Sequence, residues 1–135
     1  MIGLDTNILG CYILDDDPLW SPAVANFLET RLSNQAPGYI NPITLIELVW
    51  MLRRKPGYDR AKLAMIVEGL LSSDSLVVGE ADAVEKALVS FRAGSAGFAD
   101  YLIAELNDSA GASPTLTLDR SAAKNPLFVL LTQEV

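Results

Sequence analysis

The sequence predicts an α/β fold, and three observations carry that prediction. Short apolar runs recur near 1–4, 39–40, 76–78, 115–118 and 127–131; helical apolar patterns fill the stretches between them; and no repeat or linker divides the 135 residues. Strands alternating with helices imply a parallel sheet covered on both faces. The length is that of one domain, residues 1–135, with enough chain to bury a core.

Composition narrows the functional classes. Half the residues are hydrophobic and a fifth are charged, which is globular and argues against disorder. The net charge of -7 disfavours a simple electrostatic grip on nucleic acid, because phosphate binding relies on Lys and Arg. Histidine is absent, so catalysis is left to carboxylates, hydroxyls, lysine or a metal. The single cysteine, Cys11, rules out an intramolecular disulfide, suits a reducing compartment and reads as a small core residue. The chain opens without a basic, then apolar, leader pattern, and the 45–52 run, apolar except for Glu47, is far too short to span a membrane. The expectation is a cytoplasmic protein.

Met1, Ile2 and Leu4 form the first strand, and Asp5-Thr6-Asn7 joins it to a helix bearing Ile8, Leu9, Tyr12 and Ile13. In open α/β sheets ligands bind just past the carboxyl ends of strands, where Asp5 stands; capping the helix is the alternative role for the same residue. Asp15-Asp16-Asp17-Pro18 is a solvated turn that lacks the glycine and distal glutamate of a calcium loop. Ser21-Pro22 opens the second helix as cap and first position, with Val24, Phe27, Leu28 and Leu32 on one face. After Ala36-Pro37-Gly38 comes the short strand Tyr39-Ile40.

Asn41-Pro42 starts a helix running to about Lys55, where Pro56-Gly57 stops it. It is apolar nearly all round, which predicts burial and makes Glu47 in its middle costly unless something positive meets it. Thr44 shares the Glu47 face; a pair with Arg54, or partial exposure, is the plainer account of Glu47. An amphipathic helix at 58–71 leads to the strand Leu76-Val77-Val78. A helix beginning at Asp82 turns Val84, Ala87, Leu88 and Phe91 inward. Gly94-Ser95-Ala96-Gly97 breaks the chain before a helix at about 98–108 that packs Phe98, Leu102, Ile103 and Leu106. Asp100 lies in its opening turns, where the helix dipole alone would favour an acid. The strand Thr115-Leu116-Thr117-Leu118 ends in Asp119, one helical turn spans 120–124, and 127–131 is the last strand.

Two strands therefore end in aspartate, and two apolar helices each carry an acid where periodicity predicts protein. If Asp5, Glu47, Asp100 and Asp119 converge, they cannot all stay ionised without a cation. Hard oxygen ligands select Mg²⁺, with Mn²⁺ as the alternative, and the chemistry that follows is metal-assisted phosphodiester hydrolysis.

The order MIGLDTNIL, ITLIELVWML, GFADYLIAEL, TLTLDRSAAK resembles the PIN domain, and the short length resembles the VapC-type toxins of toxin–antitoxin pairs. The resemblance implies a three-layer α/β/α sandwich around a central, mostly parallel sheet of about five strands. It also implies Mg²⁺-dependent endoribonuclease activity, with Asp5, Glu47, Asp100 and Asp119 as metal-binding catalytic acids and Thr6 and Asn7 orienting the first carboxylate or contacting metal-bound water. Where many relatives carry Asp-Phe-Ala-Asp, this chain has Gly97-Phe98-Ala99-Asp100, which implies weaker occupancy of a second metal site. Relatives pair with an antitoxin and commonly dimerise, so the implied partners are RNA, a cognate antitoxin protein and a second copy of the chain.

RNA would be held by Arg53, Arg54, Lys55, Arg60, Lys62, Arg92, Arg120 and Lys124, with Arg120, next to a proposed ligand, the first candidate for a phosphate. Trp20, Trp50 and Phe27 could serve interfaces, although core packing is the simpler expectation. Two other classes compete: a non-catalytic PIN-like module that binds RNA or protein, and a phosphotransferase or receiver using Asp5 as nucleophile. A haloacid-dehalogenase type wants an aspartate where Asn7 stands, and neither phosphoryl class uses Glu47.

Overall fold

The computed structural model describes residues 1–132 and contains two compact units, Met1–Gly79 and Glu80–Val135. The first holds β1 (Ile2–Gly3), α1 (Thr6–Leu14), α2 (Trp20–Arg31), β2 (Gly38–Ile40), α3 (Pro42–Leu52), α4 (Arg60–Ser72) and β3 (Leu76–Val78). Its strands pair in the order β1-β2-β3, all parallel, with Ile2 opposite Gly38 and Gly38 opposite Leu76. Two helices fill each crossover, as parallel neighbours require. The second unit holds α5 (Ala81–Ala93), α6 (Phe98–Ser109), β4 (Thr115–Thr117), a 3-10 turn (Ala122–Lys124) and β5 (Phe128–Leu130), with β4 and β5 parallel.

The α/β class and the alternation of strands with helices are thus present. The single sheet of about five strands is not: the ladders have three and two strands, and no pairing joins them among the described residues. The strands are two or three residues long, so each offers few backbone groups to a neighbour. Nor are both faces covered throughout, since Ile2, Val77, Leu116 and Val129 are exposed.

Local chemistry sets the helix starts. Asn41 accepts from the Thr44 N–H at 2.9 Å, with Pro42 at the first helical position, and Asp59 caps α4 through the Lys62 N–H. For α2 the expected Ser21 cap is wrong. Asp17 Oδ1 accepts from the Leu19 and Trp20 N–H groups at 3.0 and 2.9 Å, because the acidic turn delivers a carboxylate there first. Ser21 is instead buried, donating to the Cys11 carbonyl and accepting from the Asp17 N–H. Asp15, at φ 48°, closes α1 in the left-handed region, which Asp tolerates better than most residues.

Helix α3 packs on α1, and its Leu45, Leu48 and Leu52 are fully buried, each contributing about 1.5–3 kcal/mol. The approach is close: a Cβ on Gly10 of α1 would lie 2.5 Å from the Met51 methyl. The expectation that α3 is largely buried holds for Leu45, Leu48, Val49 and Leu52 but not for Ile43, Glu47, Trp50 and Arg54, which form an exposed stripe at helical spacing. Trp20, Trp50 and Phe27 are likewise exposed rather than core. In the second unit α5 packs on α6, with Phe91 and Phe98 edge to face at 5.8 Å. The buried stripe of α6 is Phe98, Tyr101, Leu102 and Glu105; Ile103, expected inside, is exposed. Among the described residues no helix is long and apolar enough to cross a membrane.

Candidate functional site

The four acids fall two in each unit. In the first, Asp5 follows β1 with extended backbone and caps α1, its Oδ1 accepting from the Thr6 N–H at 2.7 Å. The Thr6 hydroxyl donates to Glu47 Oε1 at 3.0 Å. Thr6 therefore holds two carboxylates distant in sequence, one by its backbone and one by its side chain. Both acids are exposed, which removes the burial cost expected for Glu47. Arg54, the alternative partner for Glu47, lies over the Trp50 ring at 3.5 Å from its centroid. Thr44 is buried one turn before Glu47, and Asn7 is exposed beside Thr6.

In the second unit Asp100 lies in the first turn of α6, half-buried. Its Oδ2 accepts from the Gly97 N–H at 3.2 Å. This is half of a reciprocal cap. Gly97 has no side chain to return the bond, and a Cβ there would lie 3.3 Å from Asp100 Oδ2; an acid at this position would sit against Asp100 and complete the cap. Asp119 stands two residues past β4, its Oδ1 accepting from the Ser121 and Ala122 N–H groups at 2.8 and 3.4 Å. The Asp119 N–H donates to Thr117 Oγ1. Arg120 is exposed.

Each acid thus spends one oxygen on a hydrogen bond, leaving Asp5 Oδ2, Glu47 Oε2, Asp100 Oδ1 and Asp119 Oδ2 without a hydrogen-bond partner among the described residues. Oxygen donors of this kind suit a hard divalent cation, which binds through one or two carboxylates and keeps several waters. No group of three or more acidic or cysteine side chains placed to hold a metal occurs among the described residues.

Two ionisable groups elsewhere are perturbed. Burial, opposed by Lys86 and reinforced by Asp108, raises the Glu105 carboxyl above its ordinary range. Burial, then the charge and hydrogen bond of Glu29, raises the Tyr12 phenol. Tyr12 and Glu29 border a cavity of about 270 Å³ in the first unit. Sequence reasoning missed Glu105, although its spacing of seven from Phe98 and three from Leu102 places it on the buried stripe. None of the four acids lines that cavity or a larger one of about 520 Å³ in the second unit.

No protein-family model matches the chain, and no curated protein matches it in sequence.

Proposed function

We propose that this chain is a PIN-type, Mg²⁺-dependent endoribonuclease, the toxin of a toxin–antitoxin pair, hydrolysing RNA phosphodiester bonds; Mn²⁺ would serve in place of Mg²⁺. The observation that carries the reading is the Thr6 bridge, which ties a strand-end aspartate through its backbone and a mid-helix glutamate, 41 positions from Thr6, through its hydroxyl. Asp100 and Asp119, each anchored through one oxygen, support it as the remaining ligands. A divalent cation, when bound, supplies positive charge to the phosphoryl oxygens and lowers the pKa of water. The chain's own residues fix the carboxylates: Thr6 restrains Asp5 and Glu47, the Gly97 N–H restrains Asp100 and the Ser121 N–H restrains Asp119. Arg120 neutralises a phosphate. Arg54, stacked on Trp50 one turn from Glu47, offers RNA a cationic and aromatic platform. Ile8, Trp20 and Phe27 line an apolar groove of about 200 Å³, which suits the antitoxin, and the same exposed surface serves a homodimer.

One observation favours a second reading, a non-catalytic RNA- or protein-binding module: three acids are not gathered among the described residues. Digestion of total RNA with Mg²⁺ and with chelator separates the two. The nuclease reading expects metal-dependent cleavage, reduced at least roughly 10–100-fold by Asp5→Asn, which keeps a competent helix cap. RNA binding without cleavage selects the module. Cleavage retained in an E47Q/D119N double variant overturns the ligand assignment.

A further inference from the structure

The cavity of about 520 Å³ in the second unit has a wall unlike the rest of this acidic chain. Although the sequence carries 17 Asp and Glu residues, none lines it. Ser90, Ser95, Ser121, Lys124, Asn125 and Tyr101 supply hydroxyls, an amide and one ammonium, and Val89, Ala93 and Pro126 supply an apolar strip. The volume lies in the range that takes a small organic ligand.

Its polar groups are arranged rather than scattered. Ser121 precedes the 3-10 turn that contains Lys124. Residues three apart eclipse in such a turn, so the hydroxyl and the ammonium stand on one side. Asp119 fixes the turn from outside the cavity by accepting the Ser121 and Ala122 N–H groups. The Asn125 amide donates to Ser90 Oγ at 3.2 Å, tying α5 to the segment after the turn and leaving that hydroxyl a proton to donate. Gly94 keeps the wall open, because a Cβ there would collide with the Tyr101 hydroxyl.

We propose that this cavity binds a phosphate-bearing nucleotide unit. Lys124 and the Ser121 hydroxyl take the phosphate, and Val89, Ala93 and Pro126 lie under the ribose and base. Lysine serves phosphate as a point charge, and serine donates to its oxygens. The ligand would touch neither a metal nor any of the four acids, Asp119 serving only to hold the turn, so binding stands or falls apart from the nuclease reading.

The test is an amide NMR titration of the ¹⁵N-labelled full chain in chelator, using adenosine monophosphate, a short RNA oligonucleotide, inorganic phosphate and adenosine. The monophosphate and the oligonucleotide should shift Ser90, Gly94, Ser121 and Asn125. Tighter binding of the oligonucleotide identifies a chain phosphate as the ligand, and tighter binding of the monophosphate identifies a free nucleotide. Lys124→Ala should weaken either at least about tenfold, the loss expected for one charged hydrogen bond; Ser121→Ala should weaken them less, and Lys86→Ala, on the exposed side of α5, not at all. The proposal is overturned if no ligand shifts these amides at millimolar concentration, if inorganic phosphate alone shifts them, if adenosine binds as tightly as its monophosphate, or if K124A and K124Q, folded by their spectra, bind like the unaltered chain.

Discussion

Replacing Thr6 by valine keeps the β-branched shape and deletes one hydroxyl, the donor to Glu47 Oε1 at 3.0 Å. The Asp5 cap, made to the Thr6 backbone N–H, survives. An ordinary hydrogen bond contributes about 0.5–1.5 kcal/mol and one to a charged group more, while water at this exposed site competes for both partners; the expected loss is therefore about 1 kcal/mol. With a urea dependence of about 1–3 kcal/mol/M, the unfolding midpoint should fall by roughly 0.3–1 M. A double-mutant cycle with Glu47→Ala, which removes the acceptor, isolates the pair, and its coupling energy should be about 0.5–1 kcal/mol. A coupling indistinguishable from zero would show that the bond does not hold the two carboxylates together, and the placement of Asp5 beside Glu47 would lose its support.

Glu105 provides a pH-dependent outcome. Because burial raises its carboxyl above the ordinary value, the folded state binds more protons than the unfolded state between the two values, and stability falls as pH rises through that window. E105Q should be more stable than the unaltered chain at pH 7, with the difference closing below the ordinary glutamate range; denaturation midpoints at pH 4 and pH 7 measure this. Ser21→Ala removes the partner of the half-buried Asp17 N–H and a donor to the Cys11 carbonyl, and should cost roughly 1–3 kcal/mol in the same assay.

Much of the order of elements was legible because punctuation and periodicity agree. Asn41-Pro42 and the Gly94 to Gly97 break mark boundaries that the helices respect within a few residues. Legibility ended where one position allows two partners. Ser21 reads as a cap, but Asp17 reaches the free N–H groups first. Helix α3 reads as buried because Ile43 and Trp50 are apolar, yet both stand on a side of it that is left exposed. Strand pairing left no local trace at all, since two- and three-residue strands carry no pattern that fixes their neighbours. For the site, the acids at strand ends were visible as residues, while the Thr6 bridge, a contact across 41 positions, was not.

Trp50 shares with Glu47 the solvent-facing stripe of α3, its indole half-exposed and capped by the Arg54 guanidinium. A guanidinium that leaves the ring, or an ion that settles on the neighbouring carboxylate, changes the polarity around that indole. The chain therefore carries an intrinsic fluorophore a single turn from the residue of interest, and with Trp20 replaced by phenylalanine its emission would report occupancy there without any attached dye.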